Sequence, residues 1–212
     1  MKTISTNEGK NAAMSDRTAI PLSFSPQGKG RIVVGLSWDP RADKVRLIDR
    51  IARGDSQHDM DLVCYVYNAE GECIDFIGAE AQDSMSESGH IYHSGDDMTG
   101  EGGGDDETIT AELSVLPDDI DALVFLAEIK SNHVFADIES PSARLFDSLT
   151  HEIILESWLG QDAADKNKIA CVLWALRRDD VSETGWTLHV VQTCPDVTDI
   201  TEWGAYLARY IG

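Results

Sequence analysis

Hydrophobic positions in the chain fall into short runs that are rich in β-branched and aromatic residues. Residues 108–113 alternate apolar and polar side chains, as expected of a half-buried strand. The run at 61–67 is followed by a turn-like sequence and by a short return arm at 74–77, which predicts a hairpin. The predicted strands cover residues 32–38, 61–67, 74–77, 108–113, 123–129, 169–174 and 186–191.

This spacing of strands predicts the fold class. Because few helical patterns separate the runs, we expect an all-β protein in which two antiparallel sheets pack as a β-sandwich with short helices. Residues 1–21 are polar and lack periodicity, so they are predicted to be a flexible tail. Residues 22–212 are predicted to form the sandwich domain.

A helix is predicted at the C-terminus. Asp199 and Glu202 have the Asp-x-x-Glu spacing of a capping box. Trp203, Leu207 and Tyr210 follow at helical intervals, so the segment is expected to be a helix with an apolar side.

The charge of the chain suggests which partners it binds. There are 38 Asp and Glu residues against 17 Lys and Arg residues, which gives a formal net charge of −21. A surface this negative repels nucleic acids and anionic lipids, so no nucleic-acid partner is expected. The same surface attracts cations, although acids scattered over a surface would give only solubility.

Targeting signals and cysteines predict the location. No stretch near the N-terminus has the basic, apolar and small-residue order of a signal peptide. Every apolar run is shorter than the ~18 residues of a membrane helix. The four cysteines form no C-x-x-C pair, and Cys64 and Cys171 lie in apolar runs and are expected in the core. We therefore expect a cytoplasmic protein.

The acids are concentrated in residues 93–107, which we call the acidic loop. It contains six acidic residues and five glycines but no Lys or Arg. Crowded carboxylates repel one another, and glycines allow sharp turns that bring backbone carbonyl oxygens inward. Both kinds of oxygen suit a hard cation such as calcium, which takes ~6–8 oxygen ligands.

A second acidic cluster precedes the strand at 61–67. Asp59 and Asp61 are two residues apart, so they point to the same side of an extended chain. They lie where the apolar run begins, which places them at the rim of the core. The neighbouring His58 is expected to remain outside the ligand set, because calcium prefers oxygen.

Three interpretations of these clusters remain open at this point. The first is a solvated acidic surface, the second a calcium site, and the third a magnesium or manganese enzyme site. The loop lacks the EF-hand order of acids. There is no G-x-S-x-G elbow, P-loop or H-E-x-x-H motif, so we expect a protein that is not an enzyme and has no small-molecule substrate.

Residues 95–107 follow the order G-D-x-x-T-G-x-G-x-G-D-D-E, which is the most specific motif in the chain. Four other segments support the same family resemblance. The supporting segments are V-G-L-S-W-D at 34–39, D-M-D-L at 59–62, A-R-L-F-D at 143–147, and Trp186 before a strand. Over residues 30–195 the chain resembles the TerD tellurium-resistance and stress-response family.

The resemblance implies a two-sheet β-sandwich that binds two calcium ions in adjacent sites and serves a stress response. It also implies protein partners in a stress complex, either in solution or associated with a membrane. Asp59 and Asp96 should face each other if the two clusters form one site. The implied calcium ligands are Asp59, Asp61, Asp96, Asp97, Met98, Thr99, Gly102, Asp105, Asp106 and Glu107, with Met98, Thr99 and Gly102 acting through backbone oxygens. The implied conformational glycines are Gly95, Gly100 and Gly104.

Four further side chains carry specific expectations. Arg144 lies in an otherwise apolar run and should pair with a carboxylate that is buried or at the rim of the core. His90 and His93 flank a strand-like segment and are expected to be solvated. Trp158 is expected in the core, as are the other tryptophans within strand-like runs.

Overall fold

The computed structural model describes residues 19–25, 27–39, 58–100 and 103–212, which form eleven strands and one short α-helix in addition to 3-10 turns. The strands are β1 (Ala19–Pro21), β2 (Arg31–Asp39), β3 (Met60–Tyr67), β4 (Cys73–Ile77), β5 (Ile91–His93), β6 (Glu107–Glu112), β7 (Ala122–Ile129), β8 (Glu139–Asp147), β9 (Ile153–Trp158), β10 (Ala170–Arg178) and β11 (Trp186–Thr193). The helix is α1 (Trp203–Leu207).

Two antiparallel sheets pack face to face, which confirms the predicted all-β sandwich. The six-stranded sheet has the order β1-β11-β10-β7-β3-β4, and the five-stranded sheet has the order β5-β6-β2-β8-β9. The predicted hairpin is present, with β3 paired to β4. All seven predicted strands are found, with bounds that differ by a few residues at most.

The main hydrophobic core lies between the two sheets. It takes residues from both sheets, including Trp38 on β2, Trp174 on β10 and Trp186 on β11, each at most 1% exposed. Cys64 and Cys171 belong to the same core, as predicted. Burying side chains of this size supplies most of the driving force for sandwich formation.

A second apolar cluster covers the outer face of the six-stranded sheet, and α1 packs against it. Leu207 and Tyr210 are buried there, and the Tyr67 hydroxyl donates a hydrogen bond to the Gly204 carbonyl oxygen at 2.8 Å. Strands β3, β7 and β10 are therefore buried on both faces, which explains why their sequences are almost continuously apolar.

The capping box predicted for the helix is wrong. The cap of α1 is Glu202 itself, whose carboxylate accepts hydrogen bonds from the backbone N–H groups of Gly204 and Ala205. Asp199 instead ends the preceding 3-10 turn at Val197–Asp199. A glutamate at this position can reach both N–H groups because its longer side chain folds back over the first turn.

The structure differs from the sequence predictions in three other places. The last three residues of the predicted tail form β1, which pairs with β11, and residues 1–18 lie outside the described part of the chain. Trp158 is 56% exposed, because β9 is the edge strand of its sheet and this side chain points away from the core. Strand β5 was recognised only as a strand-like segment between His90 and His93, and β8 and β9 were not predicted, since they are interrupted by polar residues and Pro141.

An ion cluster around the buried carboxylate of Glu112 joins the start of β2 to the end of β6. The Glu112 side chain is only 6% exposed and accepts from Lys29 Nζ at 2.9 Å and from the Arg31 guanidinium. His90 Nδ1 lies 3.0 Å from the same carboxylate. Hydrogen bonds from Lys29, and then from Arg31 and His90, lower the pKa of Glu112 to about 2 despite burial.

Among the residues that the structure describes, no helix is long and apolar enough to cross a membrane.

Candidate metal centre

Three aspartates from separate parts of the chain meet at one end of the sandwich. Asp59 immediately precedes β3, Asp61 is the second residue of β3, and Asp96 follows β5 of the other sheet. One carboxylate oxygen of each lies within 4.8 Å of an oxygen of the other two. The prediction that Asp59 and Asp96 face each other is thus confirmed. We call Asp59, Asp61 and Asp96 the aspartate triad.

Asp59 contributes an oxygen that nothing in the described structure satisfies. Its backbone is fixed, because its carbonyl oxygen accepts from the Lys130 N–H at 2.9 Å and its own N–H lies 3.4 Å from Ser131 Oγ. Its Oδ1 atom is buried and has no hydrogen-bond partner among the described residues. A buried carboxylate oxygen without a donor is costly, so this atom favours a bound cation.

The electrostatics of the triad are unfavourable without a counterion. Burial, followed by repulsion from Glu107, raises the pKa of Asp61 to about 6. Burial and the charge of Asp96 likewise raise the pKa of Asp59. Lys130 is the nearby cation, with its Nζ 3.6 Å from Asp61 Oδ2, but it also pairs with Glu128 at 2.9 Å and is 44% exposed. Within the described part of the chain, this shared ammonium leaves the triad with excess negative charge.

Glu107 connects the two sheets directly beneath the triad. Its side chain is completely buried, and its Oε2 atom accepts from the Leu62 N–H of β3 at 2.7 Å. Its Oε1 atom accepts from the Asp97 N–H at 3.3 Å, which ties the acidic loop to the same carboxylate. Glu107 lies on β6 of the five-stranded sheet, so this one side chain fixes β3 and the loop relative to each other.

His93 lies next to Glu107 and is not solvated, contrary to the sequence prediction. Its side chain is fully buried, and its Nδ1 atom accepts from the Gly95 N–H at 2.9 Å. The ring therefore carries its proton on Nε2, which lies 3.3 Å from Glu107 Oε2 without the alignment of a hydrogen bond.

Two other aspartates shape the acidic loop through backbone hydrogen bonds. Asp97 Oδ1 accepts from the Thr99 N–H and hydroxyl, both at 2.8 Å, and from the Gly100 N–H at 3.1 Å. Burial opposes this charge, yet these hydrogen bonds outweigh it and lower the pKa of Asp97. Asp106 Oδ2 accepts from the Trp38 N–H at 2.8 Å, while burial raises the pKa of Asp106.

Asp105 forms an ion pair with Arg144, which the sequence predicted to pair with a carboxylate. The guanidinium binds both carboxylate oxygens, with distances of 2.7 Å from Nε and 2.9 Å from Nη2. The carboxylate lies over Gly35 of β2, where an added Cβ would come within 2.3 Å of Asp105 Oδ2. A glycine is therefore required at residue 35 to seat this ion pair.

The structure thus divides the predicted ligands into groups. Asp59, Asp61 and Asp96 converge, whereas the side chains of Asp97, Asp105, Asp106 and Glu107 are each held by protein donors. Met98 is 57% exposed, and the Thr99 side chain donates to Asp97. Gly102 lies outside the described residues. Gly95, Gly100 and Gly104 all have positive φ angles, which agrees with their predicted conformational role.

Known proteins resemble this chain over most of its length. A model of the TerD domain matches residues 12–193. The chain belongs to the TerD family. It is 33% identical over 134 residues to tellurium resistance protein TerZ of Serratia marcescens, covering 63% of this chain and 68% of TerZ. It is 31% identical over 153 residues to general stress protein 16U of Bacillus subtilis (strain 168), covering 68% and 72%.

The fold of this TerD-family chain is shared with a solved structure. A homologue of the telluride resistance protein (TerD) from Streptomyces coelicolor A3(2) superposes with a TM-score of 0.60. The alignment covers 82% of this chain and 96% of the homologue at 21% identity, so it supports the fold alone.

Sequence reasoning missed two residues of this TerD-family site. Lys130 approaches the triad from the end of β7, and its charge gave no signal because it lies far from both acidic clusters in sequence. His93 was placed in solvent, although the strand-like Ile91 and Tyr92 before it could have suggested that it ends a short strand as a buried residue. Both errors concern contacts between segments that only the folded chain brings together.

Proposed function

We propose that this TerD-family protein is a calcium-binding, non-enzymatic component of a stress response. The observation that carries the proposal is the convergence of Asp59, Asp61 and Asp96 within 4.8 Å of one another. Three carboxylates offer as many as six oxygens, and a calcium ion takes ~6–8 oxygen ligands, with water filling the remaining positions. The donor set contains no sulfur or nitrogen, which favours a hard cation.

The buried Oδ1 atom of Asp59 supports this assignment independently of the charge count. It has no donor within the described structure, so a cation would supply the interaction that it lacks. Calcium would provide the positive charge at this point, and the chain would provide a preformed set of oxygens. The Glu107 carboxylate then keeps β3 and the acidic loop in place, since it holds the N–H groups of Leu62 and Asp97.

The proposal for a second ion rests on the family resemblance alone. Asp97, Asp105, Asp106 and Glu107 already accept hydrogen bonds from protein groups. A second calcium ion would have to share these carboxylates or use backbone oxygens of the acidic loop, part of which lies outside the described residues. Binding stoichiometry distinguishes one ion from two.

The test is thermal unfolding of the full chain in a chelator, in calcium and in magnesium. At a hundredfold excess of ion over Kd, a site present only in the folded state adds about 2.7 kcal/mol of stability. We expect a clear rise in Tm in calcium and a much smaller one in magnesium, because magnesium demands a tighter octahedral shell. Equal Tm values in all three solutions would contradict the proposal.

Two variants make the test specific to the triad. Asp96→Asn removes one charge from the triad, and we expect it to abolish most of the calcium effect. Asp180→Asn is the matched control, because Asp180 is exposed in the turn that follows β10. The start of β10 pairs with the end of β7 near the triad, so this turn lies at the opposite end of the strand. If both variants kept the full calcium response, the site would lie elsewhere.

A metal-dependent phosphohydrolase is the competing function, and Lys130 is the observation in its favour. Its ammonium is 3.6 Å from Asp61 Oδ2, which is where a group that binds phosphate could act beside a magnesium or manganese ion. This candidate predicts turnover of a generic phosphoester in manganese that Asp61→Ala abolishes. No turnover would support the binding function.

The partners and location of the protein follow from the same proposal. The relatives are named as tellurium resistance and general stress proteins, which supports a stress role for this chain. We expect protein partners in a stress complex, in solution or at a membrane, and a cytoplasmic location. A metal-free acidic domain that binds a basic partner remains the outcome if chelation leaves stability unchanged.

A further inference from the structure

Two cysteines lie opposite each other at the end of the β10–β11 pair. The antiparallel register sets Val172 against Thr193. Continuing this register by one residue places Cys171 opposite Cys194. Cys194 packs against the core cluster that contains Cys171, so both side chains face the core side of the sheet. Both cysteines are free thiols.

This arrangement matches the requirements of a disulfide. Directly opposed residues in an antiparallel pair have Cα atoms about 4.5–5.5 Å apart. Disulfides join Cα atoms that are about 4.4–6.8 Å apart, with both side chains on the same side of the sheet. Because Cys171 and Cys194 are opposed in register and both face the core, the bond would form without a change of strand register.

The two thiols differ in exposure. Cys171 is 4% exposed, whereas Cys194 is half-buried and lies just beyond the last residue of β11. The neighbouring Cys194 thiol, together with burial, raises the pKa of the Cys171 thiol. Cys194 is therefore the sulfur that an oxidant from solution reaches first, and Cys171 is the neighbour that can react with it next.

We propose that Cys171 and Cys194 are a site of reversible oxidative modification, at which a peroxide converts the two thiols into an intramolecular disulfide. This site is separate from the aspartate triad, and it does not depend on calcium binding. A disulfide of this kind in a reducing compartment would be transient and would respond to oxidant.

The reaction balances with hydrogen peroxide as the oxidant. The Cys194 thiolate sulfur attacks one peroxide oxygen, the O–O bond breaks, and hydroxide leaves, giving a sulfenic acid on Cys194. The Cys171 sulfur then attacks the Cys194 sulfur, the S–O bond breaks, and the departing hydroxide leaves as water with the Cys171 proton. Two electrons pass from the thiols to the peroxide. A small thiol reverses the bond by thiol–disulfide exchange.

The other two cysteines cannot form the same bond and so provide controls. Cys64 is completely buried on β3, where it pairs with Ile77, whereas Cys73 on β4 pairs with Tyr67, three residues further along β3. That offset corresponds to about 10 Å along a strand, which is too far for a disulfide. Cys73 is exposed and is thus the matched control for simple accessibility.

The experiment is peptide mapping of the full chain after mild oxidation. The reduced protein is treated with hydrogen peroxide, its remaining thiols are alkylated under denaturing conditions, and the digest is analysed by mass spectrometry without reduction. We expect a peptide pair joined through Cys171 and Cys194 in the monomer, which dithiothreitol converts back to two alkylatable thiols. The Cys73→Ser variant should give the same pair.

The Cys194→Ser variant should give no linked pair and should leave Cys171 as a thiol, because the first sulfur to react is missing. Cys194→Ala provides a second variant in case the serine disturbs folding. Two results would overturn the proposal. One is oxidation of Cys194 to sulfinic acid while Cys171 remains a free thiol. The other is an oxidised product linked only through Cys73 between two molecules.

Discussion

Replacing Asp61 by Asn should change stability in opposite directions with and without calcium. In the chelated protein, Asp61 is a partly buried carboxylate close to those of Asp59 and Asp96. The amide of Asn has nearly the same size but carries no charge, so it removes repulsion and leaves packing intact. In the calcium-loaded protein, the same change removes a ligand.

The size of the first effect follows from the perturbed ionisation of Asp61. Burial, then Glu107, raises the pKa of Asp61 from 3.8 to about 6, and Lys130 offsets only part of this. Because the folded pKa lies above the unfolded one, ionisation opposes folding, and the penalty grows as pH rises from 3.8 through 6. It is complete at pH 7.5 and corresponds to at most about 3 kcal/mol. The side chain is 18% exposed and loses its ion pair on substitution, so we expect a net gain of about 1–2 kcal/mol.

The assay is urea unfolding at pH 7.5 in a chelator and in saturating calcium, with Asp180→Asn as the control. We expect Asp61→Asn to be more stable than wild type in the chelator. In calcium the order should reverse, because the wild type gains about 2.7 kcal/mol at a hundredfold excess over Kd and the variant gains much less. A variant that is less stable in the chelator would refute the repulsion argument, and an undiminished calcium response would refute the ligand role.

Three further predictions concern residues around the triad and the Glu112 cluster. Arg144→Met should lower the free energy of unfolding by about 1–3 kcal/mol, because it leaves the Asp105 carboxylate, only 7% exposed, without its bidentate partner. Adding Asp105→Asn should recover part of this loss in urea unfolding, and simple additivity of the two changes would contradict the pairing. Gly35→Ala should also cost about 1–3 kcal/mol, since its Cβ would come within 2.3 Å of the Asp105 carboxylate. Gly103→Ala, which meets nothing within 4 Å, should be neutral by the same assay. Glu112→Gln should destabilise the protein by about 1–2 kcal/mol at pH 7. The folded pKa of Glu112, about 2, lies below the unfolded 4.5, so the gap from wild type should shrink as pH falls below 4.5, and a gap independent of pH would contradict the ion cluster.

The sequence determined the strands that are buried on both faces. Runs such as 123–129 and 169–174 predicted β7 and most of β10, because a strand in the middle of a covered sheet must be apolar on both sides. Edge strands carry a weaker signal. Strand β9 has exposed residues on both faces, including Trp158, so its pattern could not be distinguished from a loop.

The acidic clusters were also evident from the sequence, as was the pairing of Arg144 with a carboxylate. The sequence could not tell which acids would meet. Only the packing of the two sheets brings Asp96, after β5, to Asp59 and Asp61 at the start of β3. Asp97 and Asp106 have the same residue type, yet they bind backbone N–H groups.

The physical reason is that composition and spacing set local properties, whereas a metal site depends on distances between atoms that are remote in sequence. Charge density along 93–107 is a property of the chain, so it could be read directly. The position of Lys130 beside Asp61, and that of Glu107 under Leu62, depend on strand register and on the contact between the sheets. The sequence by itself determined a β-sandwich with an excess of carboxylates at one loop. The tertiary structure alone decided which three of them converge.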